Sequence, residues 1–243
     1  MNIIRTTPVA DQVNQVLRER MLDGTYRAGA RLPSESELSK EFGVSRATIR
    51  TVLARMEAEG LILRKQGDGT YVNERIQDVN THLGGLWEFT RLIESSGYRA
   101  SIESLSVDTR IASDIEAQEL ALEPGDTVMV LKRLFYADQQ PVILATNAIP
   151  SNLIDPTTGP INSEIRISDF LQEYCHRKIA YAISEVSSSK IQGGIAELLD
   201  CPSGSLMLKI HITFYDRDNQ ALICGESYYN DSMLRLRLVQ AWG

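Results

Sequence analysis

The sequence is poor in cysteine and histidine and has no long apolar segment. Its 243 residues include three cysteines and three histidines. The odd, widely spaced thiols of Cys175, Cys201 and Cys224 do not suit a disulfide framework and favour a reducing cytoplasm. No apolar run approaches the roughly 18 residues of a membrane helix, and the first residues lack the basic and apolar blocks of a secretion signal. We therefore expect a soluble cytoplasmic protein that has no membrane partner.

Residues that serve catalysis or bind metals are scattered along the chain. His82, His176 and His211 lack metal-ligand spacing, and no Cys-x-x-Cys pair exists. Cys175 precedes His176, but adjacency in sequence does not place a thiolate beside its base, so a buried cysteine and a surface histidine are expected. No serine lies in a nucleophile-elbow pattern. The sequence thus predicts no catalytic residue, no metal and no cofactor.

The charge is distributed unevenly along the chain. The formal net charge of −7 argues by itself against a nucleic-acid partner. Residues 1–75, however, contain 12 basic and 10 acidic residues, whereas the remainder contains 13 basic and 22 acidic residues. At about 150 residues per domain, the length allows one large domain or two small ones. We therefore expect any DNA contact to be confined to one patch near the N-terminus, because the acidic remainder repels DNA.

Short helices are predicted in the first 60 residues. Apolar residues with helical spacing occupy residues 9–21. Ser34 and Glu37 have the spacing of a capping box, which starts a second helix that Gly43 ends. Ser45 is placed to cap a third helix. The outer face of that helix carries Arg46, Thr48, Arg50 and Thr51.

A hairpin is predicted after the third helix. Residues 61–64 and 70–72 have the pattern of short strands, and residues 65–69 supply the turn. Short helices joined by a tight turn, the second rich in arginine and threonine at its start, are typical of a helix-turn-helix DNA reader. Arginine forms bidentate hydrogen bonds with guanine, and serine and threonine hydroxyls suit phosphate oxygens. The hairpin would then be a wing along the minor groove or the phosphates.

Residues 8–72 resemble the winged helix of GntR-type bacterial transcription regulators. The resemblance is carried by the runs Leu32-Pro33-Ser34-Glu35, Val44-Ser45-Arg46-Ala47-Thr48-Ile49-Arg50 and Gly67-Asp68-Gly69-Thr70-Tyr71-Val72. It implies DNA contacts from the starts of the second and third helices and from the wing, namely from Ser34, Glu35, Ser45, Arg46, Thr48, Arg50, Lys65, Gly67 and Gly69. Glu35 is expected to orient an arginine or to accept a hydrogen bond from a cytosine amine. Taken singly, the arginines also fit a solvated helix face, and the serines also fit simple caps.

The remaining residues predict a sheet built mainly of hairpins. Polar residues 73–82 are interpreted as a linker between a domain of residues 1–72 and one of residues 83–243. Strands are predicted at residues 128–137, 142–149, 180–186, 206–215 and 221–229. Helices are predicted from Leu86 to Gly97, from Ser113 to Leu122, from a Ser168 cap to Cys175 and from Lys190 to Leu199. This pattern indicates an α+β fold with a mainly antiparallel sheet and flanking helices.

The second domain is similar to the effector-sensing UTRA domain of the HutC subfamily of the same regulators, whose fold is that of chorismate lyase. The similarity is carried by Arg133 with Pro141 and Pro150, by Ser168-Asp169-Phe170-Leu171, by Leu198 with Gly204, and by Glu226 with Tyr228-Tyr229. It implies an effector site in a cleft of the sheet, held by Phe89, Thr90, Arg133, Ser168 and Glu226. From their aromatic side chains, we expect Tyr228 and Phe135 to form walls of this pocket. The alternatives are that Arg133 pairs with Glu226, that Ser168 only caps its helix and that Phe89 belongs to the core.

Departures from the subfamily bear on the effector. Members that recognise phosphorylated amino sugars carry a second arginine where this chain has Phe135, and an acid on the next strand where it has Ala145-Thr146-Asn147. The arginine that follows the late tyrosine is replaced by Asn230. Fewer guanidinium groups lower the affinity of a site for a dianion. The effectors under consideration include phosphorylated compounds. Among them we expect one that is less charged than a phosphorylated amino sugar, namely a free sugar, an amine or a small monocarboxylate.

The sequence as a whole predicts a ligand-responsive transcription regulator of the repressor type. Half-sites on DNA are usually read by two-fold dimers, so we expect a homodimer on a near-palindromic double-stranded operator, with the dimer surface on the second domain. The effector would favour an arrangement of the domains in which the two DNA-binding domains of the dimer no longer match the spacing of the half-sites. The alternative is a chorismate-lyase-like enzyme that carries a DNA-binding domain.

Overall fold

The computed structural model describes residues 8–74, 88–230, 233, 234 and 236 of the chain. These residues form two compact units, one containing residues 8–74 and one beginning at Glu88. Most of the predicted linker (residues 75–82), the predicted helix start at Leu86 and His82 lie outside the described residues. The α+β fold class predicted from the sequence is confirmed.

The first unit consists of helices and a hairpin around an apolar centre. Its elements are α1 (Val9–Leu22), α2 (Glu35–Phe42), α3 (Arg46–Ala58), β1 (Ile62–Lys65) and β2 (Gly69–Val72). The predicted capping box of Ser34 and Glu37 is present, and Gly43 ends α2 in the left-handed conformation with a φ of 64°. The buried core comes from the predicted apolar helix faces and includes Leu17, Leu38, Ile49, Leu53 and Met56. The predicted winged helix-turn-helix is therefore confirmed.

The second unit is an antiparallel sheet with helices on both faces. Its elements are α4 (Phe89–Ser95), β3 (Ala100–Ile111), α5 (Asp114–Leu120), β4 (Thr127–Ala137), β5 (Gln140–Pro150), a short 3-10 helix (Ser151–Leu153), α6 (Ile167–Tyr174), β6 (Tyr181–Lys190), α7 (Gly194–Leu198), β7 (Leu206–Tyr215) and β8 (Ala221–Tyr229). The strands pair in the order β3-β4-β5-β8-β7-β6, and each pair is antiparallel. Apolar side chains of α4 and α6 pack on one face of the sheet, the α4/α6 face. Those of α5 and α7 pack on the other, the α5/α7 face.

Two elements of the second unit differ from the sequence prediction. Strand β3 was not predicted, because a bulge between Ser104 and Ser106 interrupts its alternation of apolar and polar residues. The helix predicted from Lys190 to Leu199 is wrong at its start. Lys190 is the last residue of β6, and α7 begins only at Gly194. Gly193, directly before α7, has a positive φ of 55°, which a regular helix does not allow.

A close approach between β5 and β8 requires glycine at position 225. Gly225 faces Asn147 across the strand pair, and a Cβ atom there would lie 2.2 Å from the Thr146 carbonyl oxygen and 2.9 Å from Asn147 Nδ2. We predict that Gly225→Ala lowers the free energy of unfolding by about 2 kcal/mol, because the strands must shift apart to admit the methyl group. Urea denaturation measures this change. Gly159→Ala is the control, since nothing lies within 4 Å of its added Cβ, and equal losses in both variants would contradict the prediction.

Candidate functional site

The starts of α2 and α3 hold the predicted DNA-contacting hydroxyls. Ser45 Oγ accepts a hydrogen bond from the Thr48 amide at 3.1 Å and lies 2.8 Å from Thr48 Oγ1. Ser34 Oγ accepts from the Glu37 amide at 3.3 Å. The serines thus cap their helices, and they also lie exposed at helix N-termini, where the remaining backbone N–H groups and the helix dipole favour a phosphate.

An ion pair joins α2 and α3 on their exposed side. Arg50 Nη2 lies 3.1 Å from Glu35 Oε2. The hydrogen bond from Arg50 lowers the pKa of the Glu35 carboxyl, so the pair is ionised at neutral pH. Glu35 therefore orients an arginine, as expected from its charge. Arg46, one turn earlier on α3, is exposed and makes no hydrogen bond or ion pair within the described residues, so its guanidinium is available to a base or a phosphate.

The wing carries the predicted Lys65, Gly67 and Gly69 at its tip. Lys65 is exposed, with its Nζ 4.5 Å from the centroid of the Tyr71 ring. Gly67 has a φ of +77°, and a Cβ atom on Gly69 would lie 2.6 Å from Arg31 Nε. The Arg31 guanidinium also donates to the carbonyl of Asp68 in the turn. Arg31 therefore braces the wing. This contact is not predictable from the sequence, because only the folded hairpin brings the turn to this arginine.

A small cleft opens on the α4/α6 face, between the starts of α4 and α6 and strand β4. It has room for about one water molecule. The residues that line it are Glu88, Phe89, Thr90, Arg133, Phe135, Arg166 and Ile167. The rings of Phe89 and Phe135 meet edge to face, with centroids 4.9 Å apart. The structure thus brings together four predicted effector residues: Phe89, Thr90, Arg133 and Phe135.

Arg133 is the buried charge of this cleft. Its side chain is 1% exposed. Nη1 donates to the Ile165 carbonyl at 2.8 Å, and Nη2 donates to Asn147 Oδ1 at 2.9 Å. Nε is buried and has no hydrogen-bond partner among the described residues. Burial lowers the pKa of Arg133 to about 10, so the guanidinium remains charged at neutral pH. A buried N–H donor without an acceptor is costly, and a ligand oxygen would satisfy it.

Ser168 does not cap α6, which corrects the sequence prediction. Arg166 holds the N-cap position in an extended conformation, and Ser168 lies within the first turn. Its hydroxyl instead donates to Glu88 Oε1 at 3.1 Å, which ties the start of α6 to the start of α4. Glu88, Arg166 and Asn147 were missed by the sequence analysis. Two sequence positions could have indicated a role in this cleft. Glu88 directly precedes Phe89 and Thr90, and Asn147 lies on the strand predicted to pair with the strand of Arg133.

Glu226 and Tyr228 lie on the opposite side of the sheet. Strand register places Arg133 beside Ala145, and Ala145 beside Ser227, so Ser227 shares the α4/α6 face with the cleft. The neighbours of Ser227 along β8 alternate to the other face. There Tyr228 packs among apolar residues of the α5/α7 face, its hydroxyl 3.1 Å from Glu226 Oε1. Glu226 pairs with Lys209, and the alternative pairing of Arg133 with Glu226 is not formed.

Glu88 gives the second unit a pH-dependent stability. Burial raises the pKa of Glu88 above its ordinary value of 4.5, although the hydrogen bond from Ser168 acts in the opposite direction. The folded protein therefore binds this proton more tightly than the unfolded chain does. Its contribution to stability is present at acidic pH and is lost as the pH rises through the raised pKa.

We predict that Glu88→Gln is more stable than the wild type at pH 7, because the amide cannot ionise in the cleft. The difference in unfolding free energy should shrink as the pH is lowered, since both side chains are then neutral. Urea denaturation at several pH values measures it, with Glu173→Gln on the exposed side of α6 as the matched control. The prediction is wrong if the Glu88→Gln protein is less stable than the wild type at pH 7.

The neighbouring residues Cys175 and His176 have separate surroundings in the fold. No group of three or more potential metal ligands comes together among the described residues, and none of their helices is long and apolar enough to cross a membrane. His176 Nε2 lies 2.8 Å from Asp155 Oδ2. The neighbouring Cys175 is buried, which raises the pKa of its thiol to about 11. A thiol protonated at neutral pH is a poor nucleophile.

Comparison with known proteins identifies both parts of the chain. Residues 9–72 match the family of bacterial regulatory proteins of the gntR family, and residues 95–235 match the UTRA domain. The HTH-type transcriptional repressor NagR of Bacillus subtilis is 27% identical over 236 residues, 94% of each chain. YurK, an HTH-type transcriptional regulator of the same species, is 27% identical over 225 residues, 90% of each chain. The solved structure of YydK, a possible transcriptional regulator from Bacillus subtilis, has the same fold, with a TM-score of 0.74 and 18% identity over 97% of this chain and 100% of that one.

These matches decide between the regulator and the enzyme. The matched families and relatives are transcription regulators, which confirms the predicted ligand-responsive regulator and disfavours the lyase alternative. Regulators of this kind bind DNA operators through the winged helix. The UTRA match alone covers more than half of the chain. The chain therefore belongs to the GntR family of bacterial transcription regulators, in the HutC-type branch that joins a winged helix to a UTRA effector domain.

Proposed function

We propose that this regulator is a cytoplasmic repressor that binds a near-palindromic operator as a homodimer and releases it when a small molecule enters the cleft at Arg133. The observation that carries the proposal is the buried Arg133 Nε, an unpaired donor in a cleft of the sensing unit. Relatives whose names describe repressors, NagR among them, support the direction of control.

The proposed operator contacts come from exposed groups of the first unit. Arg46 and Arg50 on α3 would reach base edges or phosphates in the major groove, with Glu35 fixing the direction of Arg50. The helix starts at Ser34, Ser45 and Thr48 would bind phosphates. The wing would follow the backbone with Lys65, Gly67 and Gly69. Flexible exposed side chains can adjust to DNA without disturbing the apolar core beneath them.

The proposed effector site is the cleft on the α4/α6 face. Arg133 already donates hydrogen bonds to Asn147 and Ile165, so a ligand oxygen would accept a hydrogen bond from its remaining donor, Nε. Phe89 and Phe135 provide apolar walls, and the effector is a free sugar, an amine or a small monocarboxylate. Because the cleft has room for about one water molecule, α4 and α6 must move apart on binding. That movement is the proposed signal: the effector would bind the open arrangement preferentially and shift the population away from operator binding. Glu226 and Tyr228 are not part of this site.

The second copy is proposed to cover strand β6. This strand is the last in the sheet order and carries exposed apolar side chains, with Tyr181 42%, Ile183 57% and Val186 58% exposed. Leu206 on the neighbouring β7 is 69% exposed. A strand edge beside apolar side chains readily pairs with another chain. A homodimer through this edge would leave the cleft on the α4/α6 face open to a ligand.

One titration tests the proposal. The full chain is titrated onto its promoter DNA at fixed salt, by fluorescence anisotropy, in the presence of phosphosugars, free sugars, amines, amino acids and small carboxylates. One compound class is expected to weaken operator binding at least about tenfold. The same compound, at about a hundred times its dissociation constant, should stabilise the protein by roughly 2.7 kcal/mol. Binding of a nonpalindromic site by a monomer, or a ligand that binds without altering operator affinity, would contradict the proposal.

A further inference from the structure

Glu88 places a carboxylate in the lining of the cleft. It lines the cleft together with Arg133 and accepts a hydrogen bond from Ser168 in the first turn of α6. The N-terminal turn of a helix is ordinarily a favourable place for the anionic group of a ligand. Here a carboxylate of the protein already lies against that turn, because Glu88 accepts the Ser168 hydroxyl.

Among the residues that the structure describes, the charges around the cleft leave no surplus for an anionic ligand. Buried Arg133 contributes one positive charge, which Glu88 offsets when it is ionised. Arg166 Nε lies 2.7 Å from Asp169 Oδ2, so that arginine is already paired. Arg91 on α4 is solvent-exposed, where its charge is screened. A phosphate entering the cleft would therefore meet the Glu88 carboxylate, and the described part of the second unit offers no second free guanidinium beside it.

We propose that Glu88 makes the cleft select small hydroxylated amines and reject phosphate and carboxylate compounds. This inference rests on the proposed effector site and narrows its ligand class. The ammonium group would pair with the Glu88 carboxylate, and a hydroxyl oxygen would accept from the unpaired Arg133 Nε. The Arg133 guanidinium carbon lies 5.4 Å from the centroid of the Phe135 ring, so an aromatic wall of this cleft already accommodates a cation. Glu88 is thus a specificity-determining residue.

The test compares two small probes of opposite charge on the full chain. Ethanolamine and inorganic phosphate are titrated by calorimetry into the wild type, Glu88→Gln and Glu173→Gln, at an ionic strength held constant with sodium chloride. Glu88→Gln keeps the shape and an acceptor for Ser168 but removes the charge. Relative to the wild type, it should bind phosphate at least about tenfold more tightly and ethanolamine at least about tenfold more weakly. Glu173→Gln removes the same charge from an exposed position on α6 and should behave as the wild type does.

The outcomes separate this inference from the proposed effector site. If the ratio of the two affinities is the same, within about twofold, in the wild type and Glu88→Gln, Glu88 does not set the selectivity. Loss of ethanolamine binding in Thr90→Val and Arg133→Met then shows that the cleft still binds ligand and that only the role of Glu88 is wrong. Binding that survives both of these substitutions overturns the effector site as well. Failure of phosphate to bind Glu88→Gln at millimolar concentration also counts against the inference.

Discussion

Replacing Arg46 and Arg50 together with alanine is expected to abolish specific operator binding while the protein stays folded. Both side chains are exposed on α3, so their loss opens no cavity. The ion pair of Arg50 with Glu35 lies at the surface, where such pairs add little to stability. A contact from arginine to a base or a phosphate typically changes affinity by a factor of about ten or more, so the double variant should bind at least about a hundredfold more weakly.

The salt dependence of binding distinguishes lost contacts from misfolding. The slope of the logarithm of affinity against the logarithm of salt concentration should fall by about two in the double variant if both arginines neutralise phosphates, and by less if one reads a base. Arg55→Ala is the matched control on the same helix, since Arg55 pairs with Asp11 and Glu59 at the end away from the caps. If Arg46 and Arg50 are dispensable and Arg55 is not, the operator surface has been placed on the wrong end of α3.

Local signals account for the accurate prediction of the first unit. Ser34, Glu37, Gly43 and Ser45 fix helix ends through contacts within a few residues of themselves, so the sequence pattern alone determines them. The brace from Arg31 to the wing was not predictable in this way. It spans 37 residues to Asp68 and exists only after the hairpin has folded against the chain that precedes α2.

The second unit shows which information a sequence pattern does not contain. Whether a residue of β8 lies on the cleft side depends on strand register, and a shift of one residue exchanges the two faces. Four residues named from the sequence line one cleft, namely Phe89, Thr90, Arg133 and Phe135. Glu226 and Tyr228 fall on the other face, and Ser227 lies between them on the cleft side. The side chain that accepts a hydrogen bond from Arg133 was likewise not determined by the sequence pattern. Only the pairing of β4 with β5 selects Asn147.

Replacing Arg133 with methionine is expected to remove the effector response while operator binding persists. The substitution eliminates the unpaired Nε donor and the buried charge, and methionine fills much of the same space. A hydrogen bond from a charged donor is worth about 1.5–3 kcal/mol, so the effector should bind about 10- to 150-fold more weakly. The Ile165 carbonyl and Asn147 amide oxygens lose their donor, which destabilises the fold, but removal of a buried charge partly offsets that loss.

Lys132→Met is the matched control for this variant. Lys132 precedes Arg133 on β4, and its register partner Thr146 lies beside Glu226, so its side chain belongs to the α5/α7 face. Both substitutions remove one positive charge from the same strand, yet only Arg133→Met should abolish the ligand-induced rise in melting temperature and the release of operator DNA. Because the two variants lose their charge on opposite faces of the sheet, equal responses in both would place the effector outside the cleft. Loss of response in Arg133→Met alone would tie the sensing step to this guanidinium.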